Sequence, residues 1–236
     1  MNRINKIFFY LGRPGAAEGS RRGSRTVFLG VLGALHANPP HFHAPLDARL
    51  VVQALLDLQP AESHFVIALD RFSAARGLTQ TWRERGLPYW IKETRTAREG
   101  PLARFLPKRT LDARIIFQTS DPEDLEWAVK EYGSLDKIRI FAVDPSRAGD
   151  LEMALRQESE RSYAPLLELS HFVALFDYDW EYFYILSRQL NLNRIAGAWQ
   201  RVCRQEDIET ELVSSPSDAE RLRGRIERLV RVPVFS

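Results

Sequence analysis

The sequence predicts an α/β fold, alternating strands and helices around a mostly parallel sheet. Two observations carry that expectation. Short β-rich runs alternate with helical patterns along the 236 residues, an order that reads as parallel strands joined through helices. The composition, 44% hydrophobic and 27% charged, is that of a chain with a core, which excludes disorder and collagen-like repeats. Cys203 is the single cysteine, so an internal disulfide or a cysteine-rich zinc scaffold is excluded as well.

The elements follow in order. Ile4–Tyr10 is a short β-rich run and predicts a strand; a glycine- and arginine-rich loop, residues 11–24, comes next. Thr26–Ala37 is almost wholly apolar, and periodicity leaves both a buried strand and a buried helix open. Asn38-Pro39-Pro40 breaks the chain. Pro45 and Asp47 open a helix to about Leu58, because Leu46, Leu50, Val51, Ala54, Leu55 and Leu58 fall at helical spacing. His64–Leu69 predicts a strand, Ser73–Arg85 a helix stopped by Gly86 and Pro88, and Tyr89–Lys92 a further strand.

Beyond a basic, loop-like stretch over 94–111, the alternation repeats. Arg114–Gln118 predicts a strand. Asp121-Pro122-Glu123-Asp124 starts a helix that ends at Gly133, with a cap, a proline in the first turn and acids at the positive end of the dipole. Lys137–Val143 predicts a strand, and Asp144-Pro145 caps a helix to about Glu160. His171–Phe176 predicts a strand. Asp179–Leu190 reads as a hairpin return strand or an aromatic helix. Asn193–Arg204 and Ser217–Val230 predict helices, and Arg231–Phe235 can add a terminal antiparallel edge strand. The length suits a single α/β domain over 1–236, with an alternative internal boundary near 94–111.

The longest apolar stretch, Thr26–Leu35, falls short of the ~20 residues that span a bilayer, and the first ten residues lack a signal-peptide pattern. The expectation is a cytoplasmic chain with a reduced thiol and no membrane partner.

Charge is the clearest functional signal. The formal total is only +2, yet residues 1–110 carry 17 Lys/Arg against 8 Asp/Glu and residues 111–236 carry 16 against 23. Arginine outnumbers lysine 28 to 5, and guanidinium groups form planar bidentate pairs with phosphates and carboxylates. Two segments concentrate the positive charge. In the glycine-rich loop, Arg21, Arg22 and Arg25 are placed to clamp a phosphate, although neither the P-loop nor the dinucleotide-binding glycine spacing is present. Residues 71–110 hold ten Lys/Arg, among them Arg95, Arg98, Lys108 and Arg109, against three acids, with Phe72, Trp82, Tyr89, Trp90 and Phe105 interleaved. Cations for phosphates and rings for stacking are what single-stranded nucleic acid requires. The leading expectation is therefore binding of a phosphate-bearing anion, nucleic acid first, through the basic first half. A second acidic surface is the other partner this charge would suit.

A second reading is enzymatic. Phe172-Val173-Ala174-Leu175-Phe176 runs into Asp177-Tyr178-Asp179, and two carboxylates at a strand end can hold Mg²⁺ or Mn²⁺ for phosphoryl or glycosyl transfer. Asp70 and Asp144 also end apolar strands, and on a parallel sheet all four aspartates would share one rim. Caps and turns use the same residues. No other cofactor is implied. His41-Phe42-His43 with His36 lacks a completing ligand for zinc, and Cys203 between Arg201 and Arg204 reads as a structural thiol.

A third reading is a non-catalytic interaction, immunity or assembly module, or a homo-oligomer. Its signals are the bipolar charge and the aromatic cluster Tyr178, Trp180, Tyr182, Phe183 and Tyr184. One internal similarity stands apart. Ser63-His64-Phe65-Val66 recurs as Ser170-His171-Phe172-Val173. The histidines begin their strands at the ends opposite Asp70 and Asp177, which makes them poor partners for those acids.

Overall fold

The computed structural model describes residues 4–12, 27–36, 48–60, 63–71, 83–96, 110–132, 137–157, 164–176, 183–190 and 192–212. Among them, strands β1 (Ile4–Gly12), β2 (Val27–His36), β3 (His64–Arg71), β4 (Tyr89–Thr96), β5 (Thr110–Thr119), β6 (Lys137–Val143), β7 (Phe172–Phe176), β8 (Phe183–Ser187) and β9 (Glu209–Leu212) form one sheet. Its strand order is β4-β5-β3-β6-β7-β8-β2-β1-β9. The helices are α1 (Ala48–Leu58), α2 (Pro122–Tyr132), α3 (Ala148–Gln157), α4 (Ala164–Leu169) and α5 (Leu192–Gln205).

The mostly parallel sheet that the alternation predicts is not what the chain forms. Every neighbouring pair from β4 across to β1 is antiparallel, and the one parallel pair, β1 with β9, lies at an edge. A helix between two strands does not fix their direction. The chain passes from β5 through α2 to β6, two parallel strands that straddle β3. From β6 it passes through α3 and α4 and returns antiparallel on β7, directly beside β6. Strand–helix–strand order is the same in both cases.

Helices cover both faces, so strands that alternate inward and outward still read as apolar throughout. Phe65, Ile67 and Leu69 of β3 pack with α1, α2 and α5. Val66 and Ala68 of the same strand pack with α3 and α4. Trp199 of α5 is among the largest fully buried side chains.

Local chemistry sets the boundaries. Asp121 Oδ1 accepts from the Glu123 backbone N–H at 2.8 Å and caps α2. Asp207, at φ 57°, ends α5 in the left-handed conformation. The Ile208 N–H then donates to the Cys203 carbonyl at 2.7 Å, and the turn leads directly into β9, an element the sequence did not reveal. Within the apolar stretch Val27–His36 is strand β2, and within 179–190 the described Phe183–Ser187 is strand β8, antiparallel to β7. Pro145–Arg147 forms a 3-10 turn ahead of α3.

The repeated Ser-His pairs mark one junction used twice. Ser63 Oγ donates to the Pro60 carbonyl at 2.7 Å, and Ser170 Oγ donates to the Leu166 carbonyl at 2.8 Å. Ser170 thus satisfies a carbonyl in the last turn of α4, Ser63 closes a turn just past α1, and both precede a strand beside β6.

Most of the helix expected over Ser73–Arg85, and all of Ser217–Val230 and Arg231–Phe235, lie outside the described residues. So do residues 97–109, although β4 and β5 on either side pair with each other. No helix among the described residues is long and apolar enough to cross a membrane.

Candidate functional site

The basic, aromatic stretch of the first half reaches the sheet as β4, which ends the strand order on its side. Strand alternation sends its rings to opposite faces. Tyr89 and Ile91 are half-buried against the cluster under α1, α2 and α5, whereas Trp90 packs half-buried against the α3–α4 side. Each face carries an arginine stacked on a ring. The Arg85 guanidinium lies 4.6 Å from the Trp127 centroid and donates to Asp124 Oδ1 at 2.9 Å. The other Asp124 oxygen accepts from Thr119 Oγ1 at 3.2 Å, which fixes the carboxylate. On the opposite face the Arg156 guanidinium lies 5.4 Å from the Trp90 centroid and is ion-paired with Glu152. Glu152 also accepts from the Gln118 amide at 2.5 Å. Contacts of this kind contribute about 0.5–1 kcal/mol when exposed, and they orient the rings as well. Lys92 is exposed and sits opposite Arg114 in the β4–β5 register.

Of the residues expected to bind an anion, Arg95 lies on β4. Arg21, Arg22, Arg25, Arg98, Lys108 and Arg109 lie outside the described residues, as do Asp177 and Asp179. Arg85 belongs to the basic 71–110 stretch read from sequence, whereas Arg156 and Trp127 were not singled out. They come from α2, α3 and the turn before β4, and only the tertiary fold brings them to this edge.

Asp70 and Asp144 do not share a rim. β3 and β6 are antiparallel, with Asp70 opposite Lys137 and His64 opposite Val143, so the two aspartates occupy opposite ends of the pair. Asp70 is 1% exposed. Its Oδ1 accepts from Arg114 Nε at 3.0 Å and its Oδ2 from Arg139 at 3.1 Å, both bonds within the sheet face covered by α3. Arg114 also donates to the Leu155 carbonyl at 3.0 Å and so ties the end of α3 to the sheet. A carboxylate committed to two guanidiniums in the interior has the surroundings of a structural group.

Asp144 precedes the 3-10 turn but makes no side-chain cap. Its Oδ1 lies 3.0 Å from His171 Nε2, and His171 Nδ1 lies 2.7 Å from Gln189 Oε1. A carboxylate only accepts, so Nε2 carries a proton. This contact between the end of β6 and the start of β7 was not read from sequence. It becomes visible once those strands are known to be antiparallel. His64 stands on the other side of Val143, and its buried Nδ1 has no hydrogen-bond partner among the described residues. Among the described residues no group of three or more His, Cys, Asp or Glu could hold a metal ion. Cys203 is buried in the α5 core, and burial pushes its thiol up to about 12.

No protein family, curated protein or solved structure was found to match the chain.

Proposed function

We propose that the chain binds a phosphate-bearing polyanion, single-stranded nucleic acid, along the β4 edge. The observation that carries this reading is two half-buried rings with stacked arginines, one on the strand β4 itself and one on α2 beside the turn that leads into it. Trp90 with Arg156 forms one pair and Trp127 with Arg85 the other, and Lys92, two residues beyond Trp90 on β4, is exposed. Helices cover both faces of the central strands, so bases have no open sheet face to stack on there. An edge and its loops remain. The segment joining β4 to β5 lies outside the described residues and adds Arg98, Arg104, Lys108 and Arg109 in sequence. The rings would stack bases and the cations would displace counterions from phosphates.

Fluorescence anisotropy with a labelled single-stranded oligonucleotide tests the reading. Binding should appear at low salt, and log Kobs should fall against log salt with a slope of about −0.7 per phosphate neutralised. Trp90→Ala should weaken binding by about ten-fold or more, as loss of a stacked base does. No binding to DNA or RNA at low ionic strength would overturn it.

A further inference from the structure

Arg156 shows what the face of Trp90 accepts. Its guanidinium is a planar group 5.4 Å from the ring centroid, and its Nη2 donates to Glu152 Oε1. One place therefore satisfies a flat group over an indole and an N–H aimed at a carboxylate.

The carboxylate is the fixed half of that pair. Glu152 and Arg156 lie one turn apart on α3. Glu152 Oε2 accepts from Gln118 Nε2 at 2.5 Å, which ties the carboxylate to β5. Trp90 stands opposite Ile116 on β5, so Gln118, two residues on, shares its face of the sheet. The Glu152 side chain is 18% exposed and that of Arg156 43%. Ring, amide and carboxylate are thus held by the sheet and α3, whereas the guanidinium sits outermost on a long stem.

We infer that this is a subsite for a guanine base, which takes the place of the Arg156 guanidinium over Trp90, a base preference that rests on the nucleic-acid reading above. A carboxylate only accepts, so it selects among bases by the donors on their Watson–Crick edges. Guanine presents two adjacent donors there, N1–H and N2–H2, a planar fork like that of a guanidinium. Stacked on Trp90, it can aim both at Glu152. Cytosine and adenine each present one amino group beside a ring nitrogen that accepts. Uracil presents one N–H between two carbonyls. Those acceptors repel a carboxylate. The pairing of Glu152 with Arg156 is the template here, because the base enters at an acceptor already in use. The released Arg156 then serves the adjoining phosphate, a contact that suits a guanidinium.

Anisotropy titrations of the full chain at low salt test it, with labelled twelve-nucleotide RNAs of repeating GUU, CUU, AUU or IUU and with oligo-U. I is inosine, which keeps the ring and N1–H of guanine but lacks N2–H2. The GUU repeat should bind about ten-fold tighter than the CUU and AUU repeats and oligo-U, the discrimination expected of a bidentate base contact. The IUU repeat should lose about three-fold or more of that gain, because one donor is gone. Glu152→Gln replaces an acceptor by a donor and should bring the ratio of GUU to oligo-U affinity to about one, with urea unfolding as the check that the variant is folded. If it does not fold, the inosine comparison on the wild type decides alone. Equal binding of the GUU repeat and oligo-U by the wild type, or a preference that inosine or a folded Glu152→Gln keeps in full, overturns the guanine subsite and leaves the nucleic-acid reading standing. Absence of binding to every one of these RNAs and to their DNA counterparts overturns both.

Discussion

The two ends of the β3–β6 pair begin from the same sequence signature and reach opposite environments. Asp70 follows Ile67-Ala68-Leu69, and Asp144 follows Phe141-Ala142-Val143. Asp70 is 1% exposed and bridges Arg114 and Arg139. Asp144 is 52% exposed and meets His171 at the surface. Parity and direction make the difference. Asp70 continues the row of Val66 and Ala68 that faces α3 and α4, with Arg114 directly opposite on β5. Asp144 leaves its strand as the chain turns into Pro145–Arg147. An aspartate after an apolar strand thus carries no fixed meaning. Its partners come from the neighbouring strands.

Substitutions should separate the two ends sharply. Asp70→Ala leaves Arg139, 2% exposed, without its carboxylate, and should cost about 3–5 kcal/mol in urea unfolding. A cost below about 1 kcal/mol would show that the interior cluster is not what the geometry indicates. At the other end, a double-mutant cycle on Asp144→Ala and His171→Ala should give a coupling of about 1 kcal/mol or less. That coupling should fall in 1 M NaCl, where exposed charges are screened, whereas the Asp70–Arg139 coupling should hardly change. Equal salt dependence at both ends would erase the contrast.

Cys203 supplies a third, smaller comparison on the opposite face of the sheet. Its thiol is pushed from 9.0 up to about 12 by burial. A raised value in the folded state means that the protonated thiol's contribution is fully present below pH 9. It is lost as pH rises through about 12. The stability difference between wild type and Cys203→Ala should therefore stay flat from pH 6 to about 9 and shift against the wild type above it. A change already at neutral pH would contradict a buried, uncharged thiol.

The elements themselves were largely legible. Helix α1 follows from spaced leucines and valines, α2 from Asp121-Pro122 and its acids, and β6 from a run of seven residues. Short-range chemistry decides such features: side-chain periodicity, caps and prolines act within a few residues. β9 was missed because four residues alternating acid and non-acid resemble a solvated loop until a neighbour pairs with them.

The edge site was legible only in part. The basic, aromatic character of the 71–110 stretch is written in the sequence, but Arg156 over Trp90 and Arg85 over Trp127 join residues from separate elements. The pairing of His171 with Asp144 was hidden by the assumed direction of the sheet. The sequence alone determined where most strands and helices form, though neither β9 nor the choice between strand and helix at β2 and β8, and it determined how charge divides between the halves and which segments carry it. Tertiary structure decided that the strands run antiparallel and that Asp70 is interior while Asp144 is not. It also decided that, among the described strands, the basic stretch supplies one outermost strand, β4, and the acidic β9 the other. Strand direction and neighbours depend on hydrogen bonds between residues far apart in the chain, and no local pattern encodes them.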